Sequence, residues 1–216
     1  MARVKAAVLI SGRGSNLKAL IDACAAPGFP AEIALVLSNR AEAAGLDYAR
    51  AAGIAHVVID HRQFPDREAF DAAIGAAVEA AGAQLICLAG FMRLLGPVFT
   101  EQWRDRILNI HPSLLPAFRG LDTHARVLAA GVRFTGCTVH FVRPAMDDGP
   151  IIVQAAVPVQ PDDDEQRLAQ RVLSVEHRIF PLALGWAASG RLRVDGNHVI
   201  VDGCQEPEGV FINPAA

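Results

Sequence analysis

The sequence predicts an α/β fold: a mostly parallel, Rossmann-like sheet flanked by helices, with antiparallel hairpin strands in the C-terminal part. Short apolar runs alternate with helix-like segments over the first 130 residues. These runs are apolar almost throughout, as in parallel strands that are covered on both faces. Two later runs are instead joined by a short turn rich in Pro, Asp and Gly, which favours an antiparallel hairpin.

The N-terminal part of the chain supplies the parallel strands. Strands are predicted at residues 6–10, 31–38, 56–59, 84–90 and 107–110. Helices are predicted at residues 17–25, 41–52, 67–81 and 123–130. Because parallel neighbours need a crossover connection, usually a helix, this alternation predicts one parallel sheet with helices on both faces.

The C-terminal part predicts two hairpins and one long helix. Residues 134–142 and 151–159 form the first hairpin, and residues 192–203 form the second around Asp-Gly or Gly-Asn. A helix is predicted over residues 164–188, with an interruption at Pro181, since proline removes a hydrogen bond from a helix interior.

Length and composition indicate one domain. A chain of 216 residues that is 52% hydrophobic can bury a substantial core, and it shows no repeat, linker or low-complexity segment. We therefore expect a single domain over residues 1–216, with a loose tail at about 204–216, where the pattern fades. A formal net charge of −3 gives no overall attraction to nucleic acid or to an anionic membrane.

The residue pattern indicates neither a metal site nor a membrane segment. The cysteines at 24, 87, 137 and 204 have none of the spacings typical of zinc sites, and neither do the histidines. No stretch reaches the ~20 apolar residues that cross a bilayer, and the N-terminal apolar run is too short for a signal peptide. We expect a cytoplasmic protein without a metal.

A strand with two polar residues occurs in the segment ILNIHPSLLP, residues 107–116. Because side chains alternate along a strand, Asn109 and His111 project to the same face. Pro112 then ends the strand, since it has no N–H to donate to a neighbouring strand, and it keeps His111 extended at the end of the strand. A lone histidine at a strand end is more often structural, but this pattern favours a strand that delivers two polar groups to a cleft.

A glycine loop, SGRGSN at residues 11–16, connects the first strand to the first helix. Backbone N–H groups and the helix dipole can hold an anion at such a position. The dinucleotide fingerprint fails because Leu17 replaces its third glycine, and no Gly-Lys-Ser/Thr follows for a P-loop. Two interpretations stay open: a small phosphate cup formed by Gly14, Ser15 and Asn16, or a tight turn in which Ser15 or Asn16 caps the helix.

An acidic turn, MDDGP at residues 146–150, joins the two strands of the first hairpin. An aspartate in a turn is most often a turn former. Placed across a cleft from His111, however, Asp147 could orient the imidazole and keep it protonated, and Asp148 adds a second carboxylate beside it. Asn109, His111 and Asp147 are therefore the candidate catalytic residues of an α/β enzyme with a phosphate loop.

Six segments, in the same order, resemble the folate-dependent formyltransferase family, in particular its members that act on glycinamide ribonucleotide in purine synthesis. They are ISGRGSN, LAGFMRLL, NIHPSLLP, GLDTH, HFV…DDGPII and VEHRIFP. The resemblance runs from about Val4 to Gly203. SLLP is shared with other formyltransferases and with a deformylase, but those relatives carry an additional domain, and the phosphate loop fits a ribonucleotide substrate.

The resemblance implies roles for particular residues. The family's catalytic residues correspond to Asn109, His111 and Asp147. Its ribonucleotide-binding residues correspond to Gly14, Ser15, Asn16 and Glu176. Its folate-binding residues correspond to Arg67, Met92, Arg93, Leu94, Leu95, Asn109, Ala145, Met146 and Asp147. Three positions depart from residues that are common in the family, namely Arg13, Asp122 and Asp148.

The implied reaction moves a formyl group from the co-substrate 10-formyltetrahydrofolate to the amine of glycinamide ribonucleotide, without a metal. Asn109 and a protonated His111 would stabilise the oxyanion, while Asp147 would hold His111 and help to move protons. The partners would be these small molecules, and a homodimer is compatible with the sequence. Two alternatives stay open: 10-formyltetrahydrofolate hydrolysis or another formyl transfer in the same cleft, and a nucleotide-binding regulatory domain that uses only the glycine loop.

Overall fold

The computed structural model describes residues 2–204 and 208–214 of the chain. Its strands are β1 (Val4–Ile10), β2 (Ala31–Ser38), β3 (His56–Val58), β4 (Leu85–Leu88), β5 (Ile107–His111), β6 (Phe134–Phe141), β7 (Ile151–Pro158), β8 (Leu192–Asp195) and β9 (His198–Val201). Its α-helices are α1 (Ser15–Ala25), α2 (Gly45–Ala51), α3 (Arg67–Ala80), α4 (Pro97–Gln102), α5 (Thr123–Ala130) and α6 (Glu165–Ala188).

Within these residues the nine strands form one sheet, in the order β3-β2-β1-β4-β5-β6-β7-β9-β8. The N-terminal pairs β2–β3, β1–β2, β1–β4 and β4–β5 are parallel. The pairs β5–β6, β6–β7 and β8–β9 are antiparallel. The predicted class, a parallel α/β sheet with antiparallel C-terminal strands, is confirmed. The strand order reverses between β1 and β4, which is where open α/β sheets bind ligands, beyond the carboxyl ends of the strands.

The strands read as continuous apolar runs because helices cover both faces of the sheet. Along β1, Ala6, Val8 and Ile10 belong to a core cluster that includes buried residues of α1, α2, α5 and α6. The alternate residues Ala7 and Leu9 belong to a second cluster, which includes buried residues of α3 and α4. Each fully buried aliphatic side chain contributes roughly 1.5–3 kcal/mol. The two clusters therefore lie on opposite faces of the sheet and cover it from both sides.

Three helices differ from the sequence-based prediction. Helix α2 begins at Gly45 rather than at residue 41. At its start the Gly45 N–H donates to Gly12 O at 3.0 Å, so the glycine loop contacts this end of the helix. Helix α4 was missed because its six residues are too few to show a helical period. The predicted interruption of α6 at Pro181 is wrong, since the helix is continuous. Buried side chains on both sides of Pro181, such as Phe180 and Leu184, hold its two halves on the sheet.

The predicted loose tail at 204–216 is described only in part. Residues 205–207 and 215–216 lie outside the described residues. Val210, Phe211 and Ile212 are exposed, while Asn213 Nδ2 donates to Arg133 O at 2.6 Å. No helix in the described ranges combines the length and the apolar character needed to cross a membrane.

Candidate active site

Strand β5 carries Asn109 and His111 to its carboxyl end, where their side chains lie on the same face. Register with β6 places Asn109 opposite His140 and His111 opposite Thr138. The alternation along the strand, together with Pro112 directly after it, predicted this placement. The structure thus brings the two polar side chains together at one edge of the sheet.

Hydrogen bonds hold the segment after His111 against the β5–β6 pair. Thr138 Oγ1 donates to Ser113 O at 2.7 Å and accepts from Leu115 N at 3.1 Å. Gln154 Nε2, from β7, donates to Leu115 O at 2.9 Å. The SLLP segment is therefore fixed by two neighbouring strands, and the chain leaves β5 in one defined direction.

His111 is buried, and each of its ring nitrogens faces an acceptor. Nε2 lies 3.0 Å from Phe118 O, and Nδ1 lies 3.4 Å from Asp147 Oδ2. A carbonyl oxygen only accepts, so Nε2 carries a proton, and a second proton on Nδ1 would let the ring donate to both partners. Phe118 belongs to a loop of residues 118–122, which we call the acceptor loop.

Asp147 lies in the acidic turn with a left-handed backbone conformation, φ 51°. Its Oδ2 accepts from Gly120 N at 2.9 Å, so the acceptor loop contacts both His111 and the carboxylate that faces it. The second carboxylate of the turn does not face Asp147, because Asp148 Oδ1 pairs with Arg119 Nη2 at 2.5 Å. The two adjacent aspartates therefore make different contacts.

His140 is a further member of this cluster, which the sequence-based reasoning did not select. Its Nδ1 donates to Phe141 O at 2.9 Å, which leaves the lone pair of a neutral ring on Nε2. That nitrogen lies 3.1 Å from Asn109 Nδ2 and 3.9 Å from Asp147 Oδ1. Burial lowers the pKa of His140, and the Phe141 carbonyl and Asp147 offset this only in part. Its position opposite Asn109 follows from the pairing of β5 with β6, which the sequence pattern did not show.

The glycine loop ends at Gly14, which is the N-cap of α1 and has φ 75°. A Cβ at this position would lie 2.5 Å from the Cα of Gly45, so the close contact between the loop and α2 requires glycine. No side chain of the described residues caps the helix, and the interpretation in which Ser15 or Asn16 acts as the cap is wrong. The first turn of α1 therefore keeps its N–H groups for another acceptor.

Asn16 and Glu176 meet in the interior beside this loop. Asn16 Nδ2 donates to Glu176 Oε2 at 2.7 Å, although the two residues are 160 positions apart. Glu176 is 7% exposed, and burial raises the pKa of its carboxyl, an effect that the hydrogen bond from Asn16 opposes. Among the described residues, Asn16 Oδ1 is buried without a hydrogen-bond partner. Such an oxygen is commonly satisfied by a ligand or by water.

The residues of the predicted folate side fall into two groups. In the first, Met92, Arg93 and Leu94 are exposed, whereas Leu95 is buried in the core against α3. Arg67 is also exposed, and it lies beside Gly96, which follows Leu95.

The second group, Ala145 and Met146, lies next to Asp147. Both residues are exposed, and the Met146 Cε lies 3.6 Å from the position that a Cβ of Gly120 would occupy. The end of the acidic turn thus borders the acceptor loop. Over residues 2–204 and 208–214, no group of three or more His, Cys, Asp or Glu side chains could hold a metal ion.

Comparison with known proteins identifies the class that this fold and site define. A family model described as formyl transferase matches residues 4–184. The chain belongs to the formyl transferase family, as the resemblance in its motifs predicted.

Individual relatives show which members of the family the chain is similar to. The phosphoribosylglycinamide formyltransferase of Escherichia coli (strain K12) is 44% identical over 200 residues, which are 93% of this chain and 94% of that protein. The crystal structure of glycinamide ribonucleotide transformylase 1 from Symbiobacterium toebii has a TM-score of 0.90 and 47% identity, covering 92% of this chain and 94% of that one.

A larger type of relative contains the same region. The trifunctional purine biosynthetic protein adenosine-3 of Gallus gallus is 53% identical over 192 residues, which are 89% of this chain but 19% of that protein. The chain thus spans about a fifth of the length of this relative.

Proposed function

We propose that the protein transfers the formyl group of 10-formyltetrahydrofolate to the amine of N1-(5-phospho-D-ribosyl)glycinamide, giving the N-formyl product and tetrahydrofolate in purine (IMP) biosynthesis. The observation that carries the proposal is the convergence of Asn109, His111 and Asp147 at the end of β5 in a member of the formyl transferase family. Relatives of similar length that carry the name of this activity support it.

The proposed reaction is attack of the substrate amine on the formyl carbon. A carbon–nitrogen bond forms, and the carbonyl electron pair moves to oxygen to give a tetrahedral oxyanion. When this intermediate collapses, the bond from the formyl carbon to N10 of the folate breaks. The proton lost by the attacking amine ends on N10, so the reaction needs donors for the oxyanion and a group that moves one proton.

Asn109 and His111 are the proposed oxyanion donors. One amide hydrogen of Asn109 points towards His140 Nε2, which leaves its second hydrogen for the substrate oxygen. The contact of His111 Nδ1 with Asp147, at 3.4 Å, is longer than the contact of Nε2 with Phe118 O. The Nδ1 proton is therefore the one that we expect to bind the substrate oxygen. Asp147, beside that proton, is proposed to hold His111 and to relay the amine proton, directly or through water.

The substrates are proposed to occupy the two sides of this centre. The ribonucleotide phosphate would bind the backbone N–H groups of Gly14, Ser15 and Asn16, at an uncapped helix N-terminus that favours anions. Glu176 and the unpartnered Asn16 Oδ1 would accept from the ribonucleotide. The folate would contact Arg67, Met92, Arg93, Leu94, Leu95, Asn109, Ala145, Met146 and Asp147.

Three further assignments belong to the same proposal. The described strands form one sheet, which supports a single domain over residues 1–216. Cys24, Cys87 and Cys137 are free and buried, which supports a reducing compartment such as the cytoplasm. A homodimer is compatible with the proposal, and its test is the mass of the protein in solution.

An absorbance assay of 10-formyltetrahydrofolate deformylation, run with and without glycinamide ribonucleotide, tests the function. We expect deformylation only when the ribonucleotide is present, with one formylated product per folate consumed. Deformylation that does not depend on the ribonucleotide would instead identify a hydrolase. Ribonucleotide binding without any formyl transfer would identify a regulatory nucleotide-binding domain.

A further inference from the structure

The geometry of the His111–Asp147 pair depends on two irregular segments, the acceptor loop and the acidic turn. The acceptor loop supplies the carbonyl that faces His111 Nε2 and, through Gly120, the N–H that binds Asp147 Oδ2. Phe118 and Asp147 both have positive φ, at 54° and 51°, a conformation that residues other than glycine rarely adopt. Such a conformation persists only where its surroundings hold it.

One ion pair joins the two segments directly. Arg119 Nη2, in the acceptor loop, lies 2.5 Å from Asp148 Oδ1, in the acidic turn. Each partner is adjacent in sequence to a residue of the centre, since Arg119 lies between Phe118 and Gly120 and Asp148 follows Asp147. A contact between these neighbours therefore sets the distance between the two segments at the point where they hold His111 and Asp147.

A second arginine holds the acceptor loop from its other side. Arg126, in α5, donates from Nη1 to Arg119 O at 2.6 Å and to Leu121 O at 3.3 Å. Its Cζ also lies 5.7 Å from the centre of the Phe118 ring, within the range of a cation–π contact. With the backbone of the loop anchored to α5, the ion pair acts on the acidic turn rather than on a mobile loop.

We propose that Arg119 and Asp148 are positioning residues, which act through the acceptor loop and the acidic turn to align His111 with Asp147. We call this ion pair the latch. The proposal rests on the proposed function, because the alignment matters only if His111 and Asp147 perform the chemistry. Neither latch residue needs to touch the substrates.

The exposure of the latch distinguishes this role from a contribution to global stability. The two side chains are 42% and 47% exposed, and ion pairs exposed to this degree contribute little to the free energy of unfolding. A change in turnover without a change in melting temperature is therefore the expected signature. Small displacements of catalytic groups have large effects on rate, because the reacting atoms must be held within narrow limits.

The test compares Arg119→Gln, Asp148→Asn, the double variant and the charge-reversed pair Arg119→Asp with Asp148→Arg. The matched control is Glu101→Gln with Arg104→Gln, which removes an ion pair of similar exposure in and beside α4. We expect each single variant to lower kcat about threefold to tenfold, with the KM of both substrates and the melting temperature as in the control. The double variant should lose no more than the worse single variant, and the charge-reversed pair should recover part of the loss.

Two kinetic outcomes would overturn the latch. Single variants with the kcat of the control would show that the pair is only a surface contact. An increase in the KM of the folate that the charge-reversed pair does not correct would show that Arg119 binds an anionic substrate itself.

Amide hydrogen exchange of the acceptor loop separates the latch from the proposed function. This measurement needs no activity, so it applies even if the wild-type protein fails to formylate the ribonucleotide. We expect faster exchange of the Gly120 amide in the two single variants and no change in the control. Unchanged exchange would refute the latch whatever the activity of the protein.

Discussion

Asn109 and His140 are cross-strand partners whose side chains meet, with Asn109 Nδ2 3.1 Å from His140 Nε2. Because the His140 Nδ1 donates to Phe141 O, the neutral ring accepts at Nε2 and fixes which end of the Asn109 amide faces it. Asparagine oxygen and nitrogen are otherwise interchangeable in shape. His140 thus orients the amide of a proposed oxyanion donor.

The first prediction is that His140→Ala lowers kcat by up to about 10²-fold, since Asn109 loses the acceptor that orients its amide. His140→Gln should recover part of the activity, because its side-chain oxygen can accept from Asn109. The rate measurement should be paired with His198→Ala, which removes an exposed histidine.

The same contact gives a pH dependence. The pKa of His140 is lowered from its ordinary value of 6.5, mainly by burial, so between these two values the unfolded chain binds more protons than the native protein. The stability associated with neutral His140 is therefore complete above pH 6.5 and is lost as the pH falls through the native pKa. A proton on Nε2 would also face the Asn109 donor, so kcat should fall as the pH falls through the native pKa. A wild-type unfolding profile that His140→Gln leaves unchanged below pH 6.5 would contradict this explanation.

The second prediction concerns the proposed oxyanion donors. Asn109→Ala and His111→Ala should each lower kcat by about 10²–10³-fold, the loss typical of one oxyanion donor. Ribonucleotide affinity, measured by calorimetry, should change little, because the donors act on charge that develops in the transition state. Equal losses in affinity and turnover would assign these residues to ground-state binding.

The third prediction separates the adjacent aspartates. Asp147→Asn should abolish most formyl transfer while ribonucleotide binding persists, because a neutral amide can accept from His111 but neither stabilises its positive charge nor relays a proton. Asp148→Gly should cost only a few-fold, since Asp148 contacts Arg119 and not the catalytic centre. If the larger loss came from position 148, the proton-transfer role would belong to Asp148 and its assignment to Asp147 would be wrong.

The sequence was sufficient to predict features that depend on neighbouring residues. Strand alternation placed Asn109 and His111 on one face, and Pro112 marked the end of β5. Glycine spacing located the loop before α1, although not the absence of a side-chain cap.

Features that depend on tertiary register were outside its reach. The Asn109–His140 contact requires the pairing of β5 with β6, and the Asn16–Glu176 contact joins residues 160 positions apart. The latch likewise depends on how two irregular loops approach each other. Helix α6 continues through Pro181 because burial on both sides of the proline outweighs one missing hydrogen bond.

The fourth prediction tests the glycine loop. Gly14→Ala should lower stability by roughly 1–3 kcal/mol, because alanine is strained at φ 75° and its Cβ would meet Gly45. Ribonucleotide affinity should fall with it, since the N–H groups of the first turn of α1 would shift. Gly12→Ala is the matched control, because a Cβ at that position would meet no atom within 4 Å from the described part of the chain beyond its two neighbours. Equal ribonucleotide affinity in the two variants would place the phosphate of the ribonucleotide elsewhere.

The fifth prediction is that Glu176→Gln makes the protein more stable at neutral pH and a poorer ligand of the ribonucleotide. The pKa of Glu176 is raised from its ordinary value of 4.5, chiefly by burial, so the native protein binds more protons than the unfolded chain between the two values. The stability associated with this carboxyl is therefore complete below pH 4.5 and is lost as the pH rises through the native pKa. Glutamine keeps an oxygen for Asn16 but carries no charge, so the melting temperature of the variant should exceed that of the wild type increasingly as the pH rises.

Glu101→Gln, an exposed position, should show no such trend. A gain in stability together with lost ribonucleotide affinity would indicate that the buried carboxylate is retained for binding, whereas a variant less stable at every pH would show that Glu176 is mainly a structural partner of Asn16.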